Sequence, residues 1–242
     1  MERPVNERVD GDTVLQSDVL EDLRDAVRYR RWLVDLTAPH LGEQPLEIGS
    51  GVGDYAADWV DRGVVHLSAS EADPHRLDQL RDRFADDPRV TVRELTVPIR
   101  ETGDYSAVVA CNVLEHIADD VEGLRDFARL VRPGGNVVIV VPAVPLAMSD
   151  FDRSIGHHRR YLKRSLRTAA THAGLEVTNL RYLNSLGLLG WLLFVRLLGG
   201  RPQAGPVLWV YDRCVVPWLS RLERHVPPPI GQSLLLVARV PG

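Results

Sequence analysis

Between Leu46 and Tyr55 the chain reads LEIGSGVGDY, with glycines at 49, 51 and 53 and a carboxylate, Glu47, just ahead of them. Glycine at alternate positions lets a chain turn sharply and bring bare backbone against a ligand, with the next helix aiming its N-terminus at the same place. A dinucleotide pyrophosphate would want G-x-G-x-x-G, but the sixth position counted from Gly49 is Asp54, and an acid there repels phosphate. Glu47 adds negative charge nearby, so the loop suits a cationic ligand.

A second stretch with chemical potential is SDFDRSIGHHRRYLKRSL, Ser149 to Leu166, the densest basic cluster of the chain. Imidazole accepts a proton near neutral pH, and paired arginines grip carboxylate or phosphate in two-pronged fashion. His157, His158 and Tyr161 are therefore catalytic candidates in an acceptor-binding loop that an anionic acceptor would suit. The competing reading is a solvated lead into a helix, with Arg159 and Arg160 paired to Asp150 and Asp152. His116, in ACNVLEHI, is a further catalytic candidate or simply polar filling, and Asn112 is either a ligand contact or a turn former. No metal is expected: His157 and His158 are adjacent in sequence, and no Cys or carboxylate set completes a first shell at the usual spacings.

These residues need elements to position them. Residues 1–16 read as a loose lead. A helical pattern starts at Ser17, with Leu20, Leu23 and Val27 on one face, and runs to Pro39. Strands are predicted at PLEIGS, VVHLSAS, RVTVREL, YSAVVAC and NVVIVVP, separated by helices over 53–60, from Asp73 and its following Pro74, and over 121–131. Unbroken Val and Ile in the central strands fit a parallel sheet covered on both faces. This succession predicts an α/β, doubly wound, open sheet whose ligands bind at the carboxyl ends of the strands. After Pro142 come a helix over 162–173, a strand near 175–183 and a closing strand in GQSLLLVARV. The chain is thus expected to be one domain: a lead over 1–40, a cofactor-binding core over 41–142, and substrate-side insertions over 143–161 and 184–230.

Composition narrows the partners. A net charge of −4 over 242 residues leaves no global basic field for long nucleic acid. The two cysteines, Cys111 and Cys214, and a polar N-terminus lacking an apolar signal segment fit a cytoplasmic protein. The run LGLLGWLLFVRLLGG, Leu186 to Gly200, is shorter than the roughly 20 residues of a spanning helix and contains Arg196. It is expected to pack on the sheet edge or form a dimer face, or else to line an apolar acceptor pocket or rest on a membrane surface. The oligomeric state is not readable.

The motif EIGSGVG, Glu47 to Gly53, resembles the first motif of the class I S-adenosylmethionine-dependent methyltransferases: an acid, one spacer, then G-x-G-x-G. The resemblance extends to SASEADP, to DYSAVVACNVLEHI and to LVRPGGNVVIVVP, in the family's order and over about residues 45–142. It implies a mostly parallel seven-stranded Rossmann-like sheet with an N-terminal helix and a C-terminal cap. It also implies S-adenosyl-L-methionine as cofactor. By the same resemblance Gly49, Ser50, Gly51 and Gly53 cradle the cofactor and Glu71, followed by Ala72, holds the ribose hydroxyls. Glu94 and Leu95 then edge the adenine, and Asn112 and Val113 line the methionine end. Glu71 could otherwise be a solvated carboxylate at a strand end.

The function implied is methyl transfer to a small-molecule or lipid-like acceptor, by in-line displacement that depends chiefly on alignment. Two other readings stay open: a catalytically silent S-adenosylmethionine-binding partner or sensor, and a nucleotide-dependent oxidoreductase, against which Asp54 argues.

Overall fold

The computed structural model describes residue 15, residues 25–200 and residues 205–242. The predicted helix start at Ser17, with Leu20 and Leu23, lies outside them. Helix α1 spans Val27–Thr37, followed by β1 (Pro45–Ile48), α2 (Asp54–Asp61), β2 (Leu67–Glu71), α3 (Pro74–Arg83), β3 (Val90–Glu94) and β4 (Tyr105–Cys111). Next come α4 (Asp120–Leu130), β5 (Val131–Pro142), α5 (Asp150–Ser154), α6 (Lys163–His172) and β6 (Glu176–Leu183). The cap follows as α7 (Ser185–Gly190) widening into π turns over Trp191–Leu197, α8 (Pro206–Val210) with π turns over Tyr211–Val215, and α9 (Val216–His225). Strand β7 (Ser233–Arg239) closes the fold.

The sheet has seven strands in the order β3-β2-β1-β4-β5-β7-β6, parallel except for β7, which runs antiparallel to β5 and β6. Chain order reverses between β1 and β4, so their carboxyl ends flank the crevice where open α/β sheets bind ligands. Side chains alternate across the pleat. Val137, Ile139 and Val141 of β5 pack with Leu124 and Phe127 of α4 and Leu166 of α6, while Val138 and Val140 face the layer containing Trp32 of α1, Trp59 of α2 and Leu219 of α9.

Local chemistry explains the helix starts. The Asp73 carboxylate accepts from the Arg76 amide at 2.9 Å with Pro74 in the first turn, and Asp119 accepts from the Glu122 amide at 3.0 Å. Strand β5 begins earlier than the NVVIVVP run suggests. Val131 pairs with Tyr105 and, after a register shift, Asn136 pairs with Ala107. Gly134, at φ 80°, absorbs the irregularity, and a Cβ on Gly135 would lie 2.6 Å from the Ser106 carbonyl oxygen. The RPGG segment that ends α4 is therefore also the bulge that seats β5.

The acids of the cap fasten it to the body. Asp212 accepts from the amides of Arg28 and Tyr29 at 3.0 and 2.9 Å, capping α1, which has no side-chain cap of its own. Glu223 accepts from the amides of Asn184 and Ser185 at 2.8 and 2.9 Å, adding to the Asn184 side chain that already caps α7 through the Gly187 amide.

Candidate functional site

The loop after β1 is built on three left-handed glycines: φ is 70° at Gly49, 57° at Gly51 and 85° at Gly53. A Cβ at Gly49 would lie 2.6 Å from Val113 Cγ2, so bare backbone here lets the β1 loop and the end of β4 approach closely. At Gly53 the neighbours are Phe84 and Leu80 of α3, at 2.5 and 2.7 Å. The third glycine therefore serves helix packing, a role the motif alone does not reveal. Asp54 is paired to Arg83 at 2.6 Å.

Glu71 ends β2 beside this loop and is buried, which removes the reading of a solvated carboxylate. Its Oε2 accepts from the Gly51 amide at 2.8 Å, while Oε1 accepts from the amides of Ala72 and Asp73 and from Arg76 Nη2 at 3.0, 2.9 and 3.2 Å. With a single bond on Oε2, that oxygen keeps capacity for a hydroxyl donor. Arg76, buried against Glu71, was not singled out from sequence because an arginine on a helix ordinarily reads as solvated. Glu94 pairs in register with Glu71 on the next strand and is exposed, and Leu95 packs on the core.

Ser50 and Glu47 complete the pocket floor. Burial is the main force that pushes the Glu47 carboxyl up to about 8, with the Ser50 hydroxyl opposing and the Glu71 charge adding to it. Glu47 Oε2 and Ser50 Oγ are both buried without a hydrogen-bond partner. A glycine cradle, orphaned polar atoms and a latent carboxylate form a donor and acceptor set that fits a cationic, hydroxyl-bearing cofactor. Asn112 is exposed at φ 55°, so it also makes the turn that ends β4.

The turn Leu114–His116 after β4 meets the loop carrying His157. The His116 and His157 rings stand edge to face with centroids 4.7 Å apart. Glu115 is fully buried and neither carboxylate oxygen has a hydrogen-bond partner; His157 Nε2 is 3.8 Å from Oε1. Burial, only partly offset by the His157 charge, pushes the Glu115 carboxyl up to about 7. Burial and then the neighbouring His157 push His116 down to about 3, so its ring is neutral at physiological pH. The other face of His157 is held by Asp152, whose Oδ1 lies 3.0 Å from Nδ1. Burial alone would raise the Asp152 carboxyl, but hydrogen bonds from His157 and Arg160 outweigh it and hold the group below the usual carboxylate range.

The basic loop differs from expectation in its pairing. Arg160 is buried and reaches Asp152 at 2.7 Å, as the solvated-lead reading supposed, but Arg159 pairs with Asp120 at 3.1 Å, and Asp150 goes to Arg153 at 3.3 Å. Arg160 also lies under the Trp191 ring of the cap, 4.3 Å from its centroid. Arg160 is committed inside the protein, while Arg159 and Arg153 are paired at the surface. Tyr161 is buried in the core, its hydroxyl donates to Asp120 Oδ2 at 3.0 Å, and burial raises its phenol far above the ordinary value. His158 is exposed, and its amide donates to the Glu115 carbonyl at 2.8 Å. The expectation of no metal-binding set rested on spacing along the chain; Glu115, invisible to that argument, supplies the carboxylate beside His116 and His157.

Known proteins match this arrangement. The methyltransferase domain family model matches residues 46–137. The demethylmenaquinone methyltransferase of Clavibacter sepedonicus is 30% identical over 129 residues, 50% of this chain and 52% of that protein. The ubiquinone biosynthesis O-methyltransferase of Ralstonia nicotianae is 26% identical over 174 residues, 65% of this chain and 73% of that one. With the exception of the Ralstonia match, the chain spans about half the length of the relatives compared, 52 to 54%. Among solved structures, an S-adenosylmethionine-dependent methyltransferase from Mesorhizobium loti superposes with a TM-score of 0.59 at 14% identity, covering 86% of this chain and 95% of that one. Geranyl diphosphate methyltransferase, solved with GPP and sinefungin, gives a TM-score of 0.61 at 15% identity, covering 86% of this chain and 78% of that one. Residues 46–137 therefore match a methyltransferase domain, and the chain has the fold of solved S-adenosylmethionine-dependent methyltransferases.

Proposed function

We propose that this chain, as a single domain, transfers a methyl group from S-adenosyl-L-methionine to a lipid-like small-molecule acceptor. The observation that carries this reading is the left-handed glycine loop joined by the Gly51 amide to the buried Glu71 carboxylate, at the reversal point of the sheet. The cofactor, when bound, supplies an activated methyl group on a positively charged sulfur. The backbone of Gly49, Ser50 and Gly51 orients it, Glu71 Oε2 accepts from the ribose, and Ala72, Glu94 and Leu95 flank the base. Asn112 and Val113 border the methionine end, with Glu47 as the anionic partner of that end once ionised.

Alignment of acceptor and methyl group supplies most of the rate, because displacement at a sulfonium needs no activation of the leaving group. His157 stands beside His116, just past Val113, where an imidazole within hydrogen-bond reach would take the proton of a protonated acceptor atom. The quinone names of two relatives support a small-molecule acceptor of that type. So does the cap: Leu189, Leu193, Phe194, Leu197, Leu198 and Trp209 are exposed, and the exposed charges beside them are arginines, Arg196, Arg213, Arg221 and Arg224. Such a face suits a membrane surface with anionic headgroups, from which an apolar acceptor would enter.

The test is calorimetric titration with S-adenosylmethionine and S-adenosylhomocysteine, followed by a screen of quinone-type and other acceptors for S-adenosylhomocysteine release. Binding with turnover on a lipid-like acceptor is expected. Binding without turnover across the panel would convert the reading to a silent cofactor-binding partner, and absence of binding would end it.

A further inference from the structure

We infer that Glu115, His116 and His157 form a binding site for a divalent first-row transition metal. One carboxylate oxygen and one ring nitrogen from each histidine lie within 4.8 Å of one another. A zinc-like ion holds such donors at about 2.0–2.2 Å, which needs them roughly 3.4 Å apart, so side-chain rotations of about an ångström or so would close the set. His157 Nε2 and Glu115 Oε1 are already at 3.8 Å.

The contacts around His157 are also those of a ligand set. His157 Nδ1 lies 3.0 Å from Asp152 Oδ1, which leaves Nε2 on the Glu115 side, 3.8 Å from Oε1. A carboxylate behind a histidine in this way fixes the tautomer and raises its basicity towards a metal. Asp152 is itself held by Arg160 and by the amide and hydroxyl of Ser149, at 2.7, 2.7 and 2.6 Å, so this outer support cannot swing in to neutralise the site. His116 Nδ1 is buried with no hydrogen-bond partner. Both Glu115 oxygens are equally orphaned in a residue with no exposed surface. Unsatisfied buried acceptors cost stability unless a donor or cation meets them. Three such acceptor atoms, two on Glu115 and one on His116, backed by an oriented second layer, leave a cation as the missing partner.

Two imidazoles and one carboxylate prefer zinc, iron(II), manganese or cobalt to magnesium or calcium, whose sites are dominated by oxygen. Three protein ligands leave at least one position open. An acceptor oxygen could occupy such a position. In that state His116 and His157 act as ligands, and the metal lowers the pKa of the bound oxygen.

The inference does not depend on methyl transfer, and its test reads metal directly. The full chain, stripped with a chelator and exchanged into clean buffer, is titrated with zinc, manganese and magnesium by calorimetry. One equivalent of zinc and manganese should bind, and magnesium should bind at least tenfold more weakly. Cobalt(II) should give visible absorption bands at one equivalent, perturbed in H116N and H157N. Glu115→Gln and His116→Asn should weaken zinc by about 100-fold or more, while His172→Asn, remote on α6, should not. Failure of the wild-type protein to bind any transition metal stoichiometrically would overturn the assignment. So would zinc affinity unchanged in folded E115Q and H116N, with folding checked by circular dichroism. If E115Q does not fold, the cobalt spectrum of the wild type and of H116N decides.

Discussion

At the scale of single residues, Glu71 is the strongest test of cofactor recognition. Its Oε1 is saturated by Ala72, Asp73 and Arg76, so the carboxylate is oriented before any ligand arrives. Glu71→Ala removes a charge-assisted acceptor and frees the Gly51 amide, and should weaken S-adenosylmethionine by about tenfold or more in a binding titration. Unchanged affinity would reassign the ribose. Glu47 makes a prediction in pH. Its carboxyl is raised by burial from 4.5 to about 8, so the folded chain holds a proton there that the unfolded chain has lost across that window. Ligand-free stability should therefore decline as pH rises from the unfolded value through the folded one. A cation beside Glu47 favours the ionised form, so cofactor affinity should rise over the same window and level off above it. Calorimetry in buffers of different ionisation enthalpy should detect proton release on binding below the folded pKa, and Glu47→Gln should abolish that proton and make the slope shallower, the raised Glu115 carboxyl keeping its own share of it.

At the scale of elements, the informative unit is the cap. Its two acids, Asp212 and Glu223, are buried as remote caps of α1 and α7, which leaves arginines as the exposed formal charges from α7 to α9 among the described residues. No helix among the described residues is long and apolar enough to cross a membrane. The exposed apolar side chains, Leu197 at 73% and Leu198 at 69% among them, therefore face outwards on short amphipathic segments. The full chain should co-sediment with vesicles containing an anionic phospholipid, more weakly at high salt, and only marginally with zwitterionic vesicles. Leu197→Asp with Leu198→Asp should release it. Concentration-dependent dimerisation in light scattering without vesicle binding would assign the same face to a second copy of the chain.

At the scale of the whole molecule, the two halves of the site reach the crevice by different routes. The glycine loop, Glu71 and Asn112 each follow directly from the carboxyl end of a strand, so local pattern places them: an apolar run, then glycine or acid, then a capped helix. For that reason strands β1 to β5 and the helices between them were legible in the sequence, apart from a few residues at element ends. The start of β5 was not, because only pairing with Tyr105 shows Val131 to be strand. The histidine-bearing side of the crevice was legible in residue type but not in partnership. His116 and His157 were visible as imidazoles, yet their environment comes from Glu115 on one loop and Asp152 on another, contacts between residues far apart in the chain. Tyr161 was placed among the candidates by its neighbours in sequence, whereas its side chain turns into the core to meet Asp120. The sequence by itself determined the alternation of strand and helix, the glycine-bearing turn and the acid at the end of β2, because these depend on backbone freedom and periodicity over short spans. Only the tertiary structure decided which charges are neutralised, which carboxyls hold a proton and which donors converge, because burial and through-space distance set those energies.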